Sequence, residues 1–344
     1  MSEPIQINSL SRTPIYKQII QSVRTAIEDG SLTYGQRLPS INSIRGRYFI
    51  SRDTVIKAYQ ELKATGVVAS SPGKGYFVAC SKIGKERHIF LLLDEFNIYK
   101  ETVYYAFRDR LKDESTIDLF FHHYDQKVYR SLIELNSDHY TDYVITPLTD
   151  NMSIEELKQN LGGQNLYILD QGYMDLGEDY PSVCQDFKLD IVRALKSGLS
   201  ILKKYKKLIL VIPGADDLSR QQIRNNIIEG VEIFCKKNKM KVEILNGIGD
   251  REPQSRECYL IYPDSELVVM IEKLQTPEMK KKKVGLISFN ESPLKAVAAG
   301  GMSTLSTDFE AMGAKMAEMV QEKSEAHVKN RYGLIIRSSL RPDK

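Results

Sequence analysis

Apolar residues recur at helical spacing near the start of the chain. They lie four positions apart, at Ile15, Ile19, Val23 and Ile27. This spacing predicts a helix with one buried face. Thr13 can cap the helix, Pro14 is tolerated at its first position, and Gly30 can supply the left-handed conformation that ends many helices.

Two shorter helices are predicted next. One runs from Ser40 to about Tyr48, and the other begins at Ser51, whose hydroxyl can accept a hydrogen bond from the backbone N–H of Thr54. The buried face of the last helix comprises Val55, Ala58, Tyr59 and Leu62. Two short helices joined by a tight turn, with polar and basic residues opening the second, are typical of a helix-turn-helix.

A hairpin is predicted after these helices. Two β-prone runs, residues 67–70 and 76–79, flank the turn 71–75, which reads Ser-Pro-Gly-Lys-Gly. Lys74 lies at the tip between two glycines, where backbone can approach a groove or a phosphate closely. Three helices and a basic-tipped hairpin predict an α+β winged helix-turn-helix head, residues 1–80, whose third helix enters the major groove of DNA.

A polar stretch at residues 81–87 is interpreted as a linker, and strand-like and helix-like runs alternate beyond it. Strands are predicted at 88–94, 116–122, 141–146, 165–170, 206–212, 241–246, 257–262, 283–289 and 333–339. Helices are predicted at 100–112, 126–136, 153–160, 186–204, 218–237, 264–275 and 308–322. Apolar strands separated by helices predict parallel sheets, and the length of residues 88–344 favours an α/β domain of two lobes with a cleft between them.

Charge separates the two predicted parts of the chain. Residues 1–80 carry a net charge of +5, and the remaining residues sum to −2. A polyanionic partner is therefore expected at the head. The four cysteines are far apart, and no apolar run is long enough for a membrane span or signal peptide. We expect a cytoplasmic protein without a metal or cofactor.

Sequence motifs of catalysis are missing. The chain has no GxxxxGK[ST], no GxGxxG after a strand, no GxSxG and no HExxH. His122 and His123 adjoin a predicted strand end, where neighbours point to opposite faces, so we expect one core and one surface histidine. A non-enzyme is predicted, with a DNA-tethered enzyme for a small sugar-like substrate as the alternative and a constitutive architectural DNA binder as a third possibility.

Residues 13–79 resemble the GntR-type winged-helix module. The likeness rests on Pro14-Ile-Tyr-x-Gln-Ile, on Gly30-x-Leu-x-x-Gly-x-Arg-Leu-Pro-Ser40, on Ile50-Ser-Arg-x-Thr-Val55, and on the motifs Ala58-Tyr-x-x-Leu-x-x-x-Gly66 and Gly73-x-Gly-Tyr-Phe-Val78. The resemblance implies that the third helix contacts bases and phosphates and that the hairpin tip enters the minor groove. The expected DNA contacts are Arg37, Ser40, Arg45, Arg47, Ser51, Arg52, Thr54, Lys57, Gly73, Lys74 and Gly75.

One departure affects the expected operator. The family usually continues Pro-Ser with Glu-Arg, and that arginine often reads a guanine, whereas Ile41 and Asn42 stand here. Arg45 and Arg47, further along the same helix, are hypothesised to supply compensating phosphate contacts. The usual operator consensus is therefore not expected to hold.

Residues 88–340 resemble the periplasmic-binding-protein-like effector domain of lactose-repressor-type regulators, chiefly over 283–293 and 301–313. A GntR-type head on such a body is similar to the arabinose-repressor type. The resemblance implies effector contacts at Phe96, Asn97, Asp170, Asn290, Asp308 and Phe309. Two departures, Ile227 for an effector-binding arginine and Pro263 for an asparagine, indicate a different set of hydrogen bonds to the ligand.

These observations predict a ligand-responsive transcriptional regulator. The resemblance implies a homodimer that represses carbohydrate-utilisation genes and is modulated by a sugar or a sugar phosphate. Its two recognition helices would read half-sites about one helical turn apart on the DNA operator.

Overall fold

The computed structural model describes residues 5–8, 11, 13–64, 66–79, 87–111, 115–137, 139–171 and 179–340. The chain divides at residue 87 into two compact units. Residues 81–86 of the predicted linker and Cys80 lie outside the described residues. Arg87, which was also assigned to the linker, is instead the first residue of a strand.

The first unit contains three helices and a hairpin, as predicted. They are α1 Ile15–Glu28, α2 Ile41–Tyr48, α3 Arg52–Ala64, β1 Val68–Ser71 and β2 Gly75–Val78. The two strands are antiparallel. The predicted inner faces meet in one core, in which Ile19, Val23, Val55, Ala58, Tyr59 and Leu62 are fully buried.

The start of α1 differs from the prediction. Pro14 precedes the helix instead of occupying its first turn, and its carbonyl accepts hydrogen bonds from the backbone N–H groups of Lys17 and Gln18. The capping role predicted for Thr13 is therefore wrong. The predicted end is confirmed, because Asp29 closes the helix and Gly30 follows with a φ of 78°.

The second unit is an α/β domain of two lobes. Its strands are β3 Arg87–Leu93, β4 Ser115–Phe121, β5 Asp142–Ile145, β6 Leu166–Asp170, β7 Ser182–Cys184, β8 Lys207–Val211, β9 Lys241–Leu245, β10 Glu257–Ile261, β11 Gly285–Phe289, β12 Ser303–Thr307, β13 His327–Lys329 and β14 Tyr332–Ile335. Lobe 1 holds a sheet of order β13-β7-β6-β5-β3-β4, and lobe 2 one of order β14-β12-β11-β10-β8-β9. All described pairings in these sheets are parallel except β12 with β14.

Helices cover both faces of each sheet. They are α4 Ile98–Leu111, α5 Gln126–Asn136, α6 Asn151–Leu161, α7 Phe187–Ser197, α8 Leu199–Leu202, α9 Leu218–Asn238, α10 Asp264–Leu274, α11 Pro293–Val297 and α12 Phe309–Glu322. In lobe 1, α4 and α12 pack on one face and α5 and α6 on the other. In lobe 2, α7 and α9 pack on one face and α10 on the other.

The chain passes between the lobes three times. It leaves lobe 1 after β7, returns after β12 to form α12 and β13, and enters lobe 2 again at β14. None of the helices in the described ranges combines the length and the apolar composition that a membrane span requires.

Candidate DNA-binding surface and effector cleft

The start of α3 presents polar groups to solvent. The Ser51 hydroxyl accepts a hydrogen bond from the backbone N–H of Thr54 at 3.1 Å, as predicted, and lies 2.7 Å from the Thr54 hydroxyl. Ser51 and Arg52 are exposed, while Val55 in the next turn is buried. Ser51 therefore caps the start of α3, and the Arg52 side chain stays exposed and available to a partner.

Lys57, also on α3, lies against a neighbouring helix. Its Nζ is 4.0 Å from the centre of the Tyr16 ring on α1, a distance at which ammonium and ring attract. On α2, Ser40 caps the helix by accepting a hydrogen bond from the N–H of Ser43 at 3.1 Å. The sequence did not predict either local role. A DNA contact by Lys57 or Ser40 would add to these roles.

The hairpin tip has the backbone of a tight turn. Gly73 and Gly75 have φ angles of 73° and 105°, which disfavour residues with a Cβ. Lys74 is exposed at the tip, and its N–H donates to the Ser71 carbonyl at 3.0 Å. The Arg37 side chain packs against the turn at Gly75. A Cβ added at Gly75 would come within 3.3 Å of the Arg37 Nε.

Arg45 and Arg47 are exposed in the last turn of α2. The Arg47 guanidinium carbon is 5.8 Å from the centre of the neighbouring Tyr48 ring. The predicted head residues therefore occupy both ends of α2, the first half of α3, and the hairpin with Arg37 beside it. Their contacts with DNA remain predictions.

In the body, the carboxyl ends of the parallel strands bring polar side chains together. This edge of an open α/β sheet is where ligands bind. A buried cluster follows β3 and β6 in lobe 1, where Lys100 Nζ contacts the carboxyl groups of both Asp94, at 2.9 Å, and Asp170. Gln185 donates to Asp170, and Gln171 donates to Asp94 at 2.9 Å.

Charge pairing stabilises this cluster. Burial opposes the charge of Lys100, but Asp170 and Asp94 outweigh it and hold the pKa of Lys100 above its usual range. Burial likewise opposes ionisation of Asp94, but the Lys100 ammonium and a hydrogen bond from Tyr124 keep the pKa of Asp94 below its usual range. The cluster therefore places a buried ammonium between two acidic side chains.

Three oxygen atoms beside this cluster are buried and have no hydrogen-bond partner among the described residues. They are Gln171 Oε1, Thr146 Oγ1 and Thr149 Oγ1. Gln171 and Thr146 are themselves almost fully buried and follow β6 and β5. Because an unpaired buried polar atom costs free energy, these atoms are candidate contacts for hydroxyl groups of a ligand.

His122 lies in the same part of lobe 1. Its Nε2 is 3.0 Å from the Thr146 carbonyl, and its Nδ1 accepts a hydrogen bond from the N–H of Tyr124. Burial lowers the pKa of His122 to about 4. His122 is fully buried and His123 is exposed, which confirms the prediction of one core and one surface histidine.

Several predicted effector residues have structural contacts of their own. The Asn97 Oδ1 accepts hydrogen bonds from the N–H groups of Tyr99 and Lys100, both at 3.0 Å, and so starts α4. Asp308 caps α12 through the N–H of Ala311. Asp170 is buried in the Lys100 cluster with a φ of 70°. Effector roles for these three residues remain predictions.

The other three differ in exposure. Phe96 is 73% exposed, with its ring centre 5.6 Å from that of Phe121. Phe309 is buried and stacks on Tyr99 at 5.4 Å. Asn290 follows β11 with a φ of 61°, and its carbonyl accepts a hydrogen bond from Lys295. The structure brings Phe309 and Asn290 near one contact between the lobes.

That contact joins Tyr99 of lobe 1 to Lys295 and Asp264 of lobe 2. Lys295 Nζ donates to the Tyr99 hydroxyl at 2.8 Å and lies 2.6 Å from Asp264 Oδ1, while the Tyr99 hydroxyl donates to Asp264 Oδ2 at 3.2 Å. Burial lowers the pKa of Lys295, although Asp264 opposes this. Sequence reasoning missed this bridge, because its residues are far apart in the chain and match no motif.

A second contact between the lobes lies beside the cluster. Arg220 at the start of α9 forms an ion pair with Glu95 at 3.1 Å, and its guanidinium carbon lies 4.4 Å from the centre of the Tyr124 ring. The N–H of Thr149 donates to the Ser219 hydroxyl at 3.2 Å. The two lobes are therefore in direct polar contact across the cleft.

The first unit matches a known family. Residues 15–78 match the sequence model of "Bacterial regulatory proteins, gntR family". Over 75 residues the chain is 36% identical to the HTH-type transcriptional repressor YtrA of Bacillus subtilis, covering 22% of this chain and 58% of that protein. It is 35% identical over 79 residues to the repressor NagR of the same organism, covering 23% of this chain and 32% of NagR. The likeness is thus confined to the head.

Solved structures of transcriptional regulators share the fold of the body. A dimeric Lac repressor superposes with a TM-score of 0.58 at 12% identity, covering 73% of this chain and 98% of that one. The trehalose repressor from Escherichia coli gives 0.58 at 15%, covering 72% and 99%. A LacI-family regulator from Lactobacillus casei with bound glucose gives 0.56 at 12%, covering 73% and 99%.

Proposed function

We propose that this protein is a transcriptional regulator that binds a DNA operator through its head and a small sugar-like effector through its body. The observation that carries the proposal is a winged helix-turn-helix with an exposed, capped α3, joined in one chain to a two-lobed domain with a buried polar cluster at the cleft. The GntR-type match over residues 15–78 supports the first half, and the shared fold of sugar-responsive repressors supports the second.

The effector we propose is an uncharged sugar. Hydroxyl groups of a sugar can donate to Gln171 Oε1 and to the Thr146 hydroxyl oxygen. Tyr262, which follows β10, offers an aromatic face, and its ring centre lies 5.3 Å from that of Phe289. The Lys100 cluster already holds two acidic side chains against one ammonium, which disfavours the added charge of a sugar phosphate.

We also propose that the protein acts as a homodimer and as a repressor. Large apolar side chains are exposed on both sides of the Tyr99–Lys295 contact, namely Phe96, Ile98, Leu294 and Val297. A contiguous exposed apolar surface is a mark of protein interfaces, and we propose that these four side chains form one. A ligand that binds more tightly when the lobes are closed would shift the equilibrium between open and closed lobes towards the closed state. In a dimer, this shift would change the distance between the two heads.

The effector half is tested with the whole chain by thermal shift against pentoses, hexoses, deoxyhexoses and their phosphates. An uncharged sugar that raises the melting temperature and is recovered unchanged supports a sensor. Conversion of that sugar to a product would instead show an enzyme. Stabilisation by phosphorylated sugars alone would contradict the uncharged effector.

The DNA half is tested by selecting bound sequences from a random duplex library. Enrichment of a two-fold symmetric site supports the operator, and salt-dominated binding without sequence preference would contradict it. Replacing Arg45 by Ala tests the phosphate contact proposed for α2. The slope of log affinity against log salt should flatten by about one unit, and an unchanged slope and affinity would reject the contact.

A further inference from the structure

Lysines gather at one edge of lobe 2, where its parallel strands begin. We call this surface the basic edge, and it comprises Lys203, Lys204, Lys206, Lys207, Lys236, Lys237, Lys239, Lys241, Arg256, Lys280, Lys281, Lys282 and Lys283. All of them are exposed except Lys207 and Lys282, which are half-buried. The other residues of 81–344 carry 25 Lys and Arg against 40 Asp and Glu, so the charge of the body is strongly segregated.

Backbone pairing places these residues side by side. The N–H of Lys206 donates to the carbonyl of Arg256, and the N–H of Arg256 donates to the carbonyl of Lys283, both at 2.7 Å. Lys207 is the register partner of Lys241 on β9. A cationic row therefore crosses four neighbouring strands, about 14 Å at the usual strand spacing. It lies at the opposite end of the strands from the effector cleft.

Acidic groups near the basic edge neutralise only part of its positive charge. Glu243 and Glu257 form ion pairs with Arg251, at 2.7 Å and 3.0 Å, and Glu243 also pairs with Lys207. Four exposed acids lie close to the edge in sequence: Glu232, Asp250, Glu252 and Glu278. Lys236 and Lys237 lie in the last turn of α9, where positive charge interacts favourably with the helix dipole, so their presence there has a local reason. The dipole of α9 gives no such reason for the four lysines at 280–283.

We propose that the basic edge is a second, sequence-independent binding surface for the phosphate backbone of duplex DNA. Proteins bind single-stranded nucleic acids by stacking the bases on exposed aromatic side chains. Tyr205, the aromatic residue of the segments that form the edge, is buried and cannot stack on a base. The large apolar side chains exposed elsewhere on the chain include none from residues 203–207, 236–241, 256 or 279–283, so these segments offer nothing to insert into a membrane. That the bound polyanion is DNA rests on the function proposed for the head. The presence of a cationic surface on lobe 2 does not depend on that function.

The test uses the full chain with Arg52→Ala and Lys74→Ala in the head, and a random 30-base-pair duplex followed by fluorescence anisotropy at several salt concentrations. Adding Lys206→Gln, Lys241→Gln and Lys283→Gln should weaken binding more than tenfold and flatten the salt slope by roughly three units. The matched control replaces exposed cationic residues away from the edge, Lys127, Lys323 and Arg331, by Gln and should keep both values.

Equal losses in the edge and control variants would overturn the proposal, because the effect would then reflect net charge alone. Binding of the chain to phosphatidylserine vesicles but not to the duplex would overturn it in favour of a membrane surface. Operator binding is measured separately with the native head. If it is absent while duplex binding depends on the edge, the proposed regulator is wrong and the basic edge stands.

Discussion

His122 satisfies both ring nitrogens only when it is neutral. Nε2–H donates to the Thr146 carbonyl, and Nδ1 must keep its lone pair to accept from the N–H of Tyr124. A second proton would break the latter bond in a fully buried site. Burial accordingly lowers the pKa of His122 to about 4.

His122 should therefore make the body less stable in acid. Its pKa is lower in the folded than in the unfolded chain, so its contribution is complete above pH 6.5 and is lost as the pH falls towards 4. The full loss is about 3 kcal/mol at ~1.4 kcal/mol for each pKa unit. Urea unfolding at pH 7.5 and pH 4.5 should show a smaller difference in His122→Gln, while His123→Gln, at the exposed neighbour, should behave as the native chain. Identical differences in all three proteins would contradict the assignment.

Lys100 holds two buried acidic side chains, and its removal should be costly. Lys100→Met keeps much of the volume but leaves Asp94 and Asp170 without their ammonium, which typically costs about 3–5 kcal/mol. The loss should be smaller at pH 4.5 than at pH 7.5, because protonation removes the uncompensated charge. Lys127→Met, on the exposed face of α5, is the control for urea unfolding. A loss that does not vary with pH would point to packing instead of charge.

At the scale of the element, α3 depends on its cap. Ser51→Ala removes the acceptor for the N–H of Thr54, which typically costs about 1 kcal/mol, whereas Ser51→Asn can retain it. Amide hydrogen exchange of residues 52–64 should be about fivefold faster in Ser51→Ala and close to native in Ser51→Asn. Equal exchange in both variants would show that the cap contributes nothing measurable to α3.

Sequence patterns predicted most elements but missed a polar strand. All nine predicted strands form, and eight of them are parallel, because branched apolar runs favour buried parallel strands. The ninth, predicted at 333–339, is the antiparallel β14 and ends at Ile335. β12 was missed because it reads Ser-Thr-Leu-Ser-Thr, although it is fully buried. Its hydroxyls are satisfied by carbonyls and side chains distant in sequence, such as Ser303 with Arg337 and Thr307 with Arg331. No local pattern reveals such partners. β7 and β13 have three residues each, too few for periodicity.

One predicted helix is divided for a similar reason. Residues 186–204 were expected to form a single helix, but α7 ends at Ser197 and α8 begins at Leu199. A Cβ on Gly198 would lie 2.3 Å from the Leu334 Cδ2, so the break coincides with a close approach of β14. Likewise, Asp170 was named from its family position, but its buried contact with Lys100 depends on tertiary structure.

At the scale of the whole molecule, the lobes are joined through few groups. Tyr99→Phe removes the hydroxyl that links the lobes and leaves the Lys295–Asp264 pair intact within lobe 2. At about 1–2 kcal/mol for two hydrogen bonds, the population with separated lobes should rise roughly 5- to 30-fold. Dyes on cysteines introduced at Leu135 and Lys241, one on each lobe, should report lower energy transfer. Tyr105→Phe, on the exposed face of α4, is the control, and unchanged transfer in Tyr99→Phe would contradict the linking role.

The three passages of the chain between the lobes also set an order of events during synthesis. Lobe 1 begins at β3 but lacks α12 and β13 until residues 309–329 have been made, and lobe 2 lacks β14 until residue 335. The contacts of the head are all complete by residue 79. Domains fold as they emerge from the ribosome, so the head can fold while neither lobe is complete. The unit proposed to bind DNA can thus be complete well before the body proposed to bind a ligand.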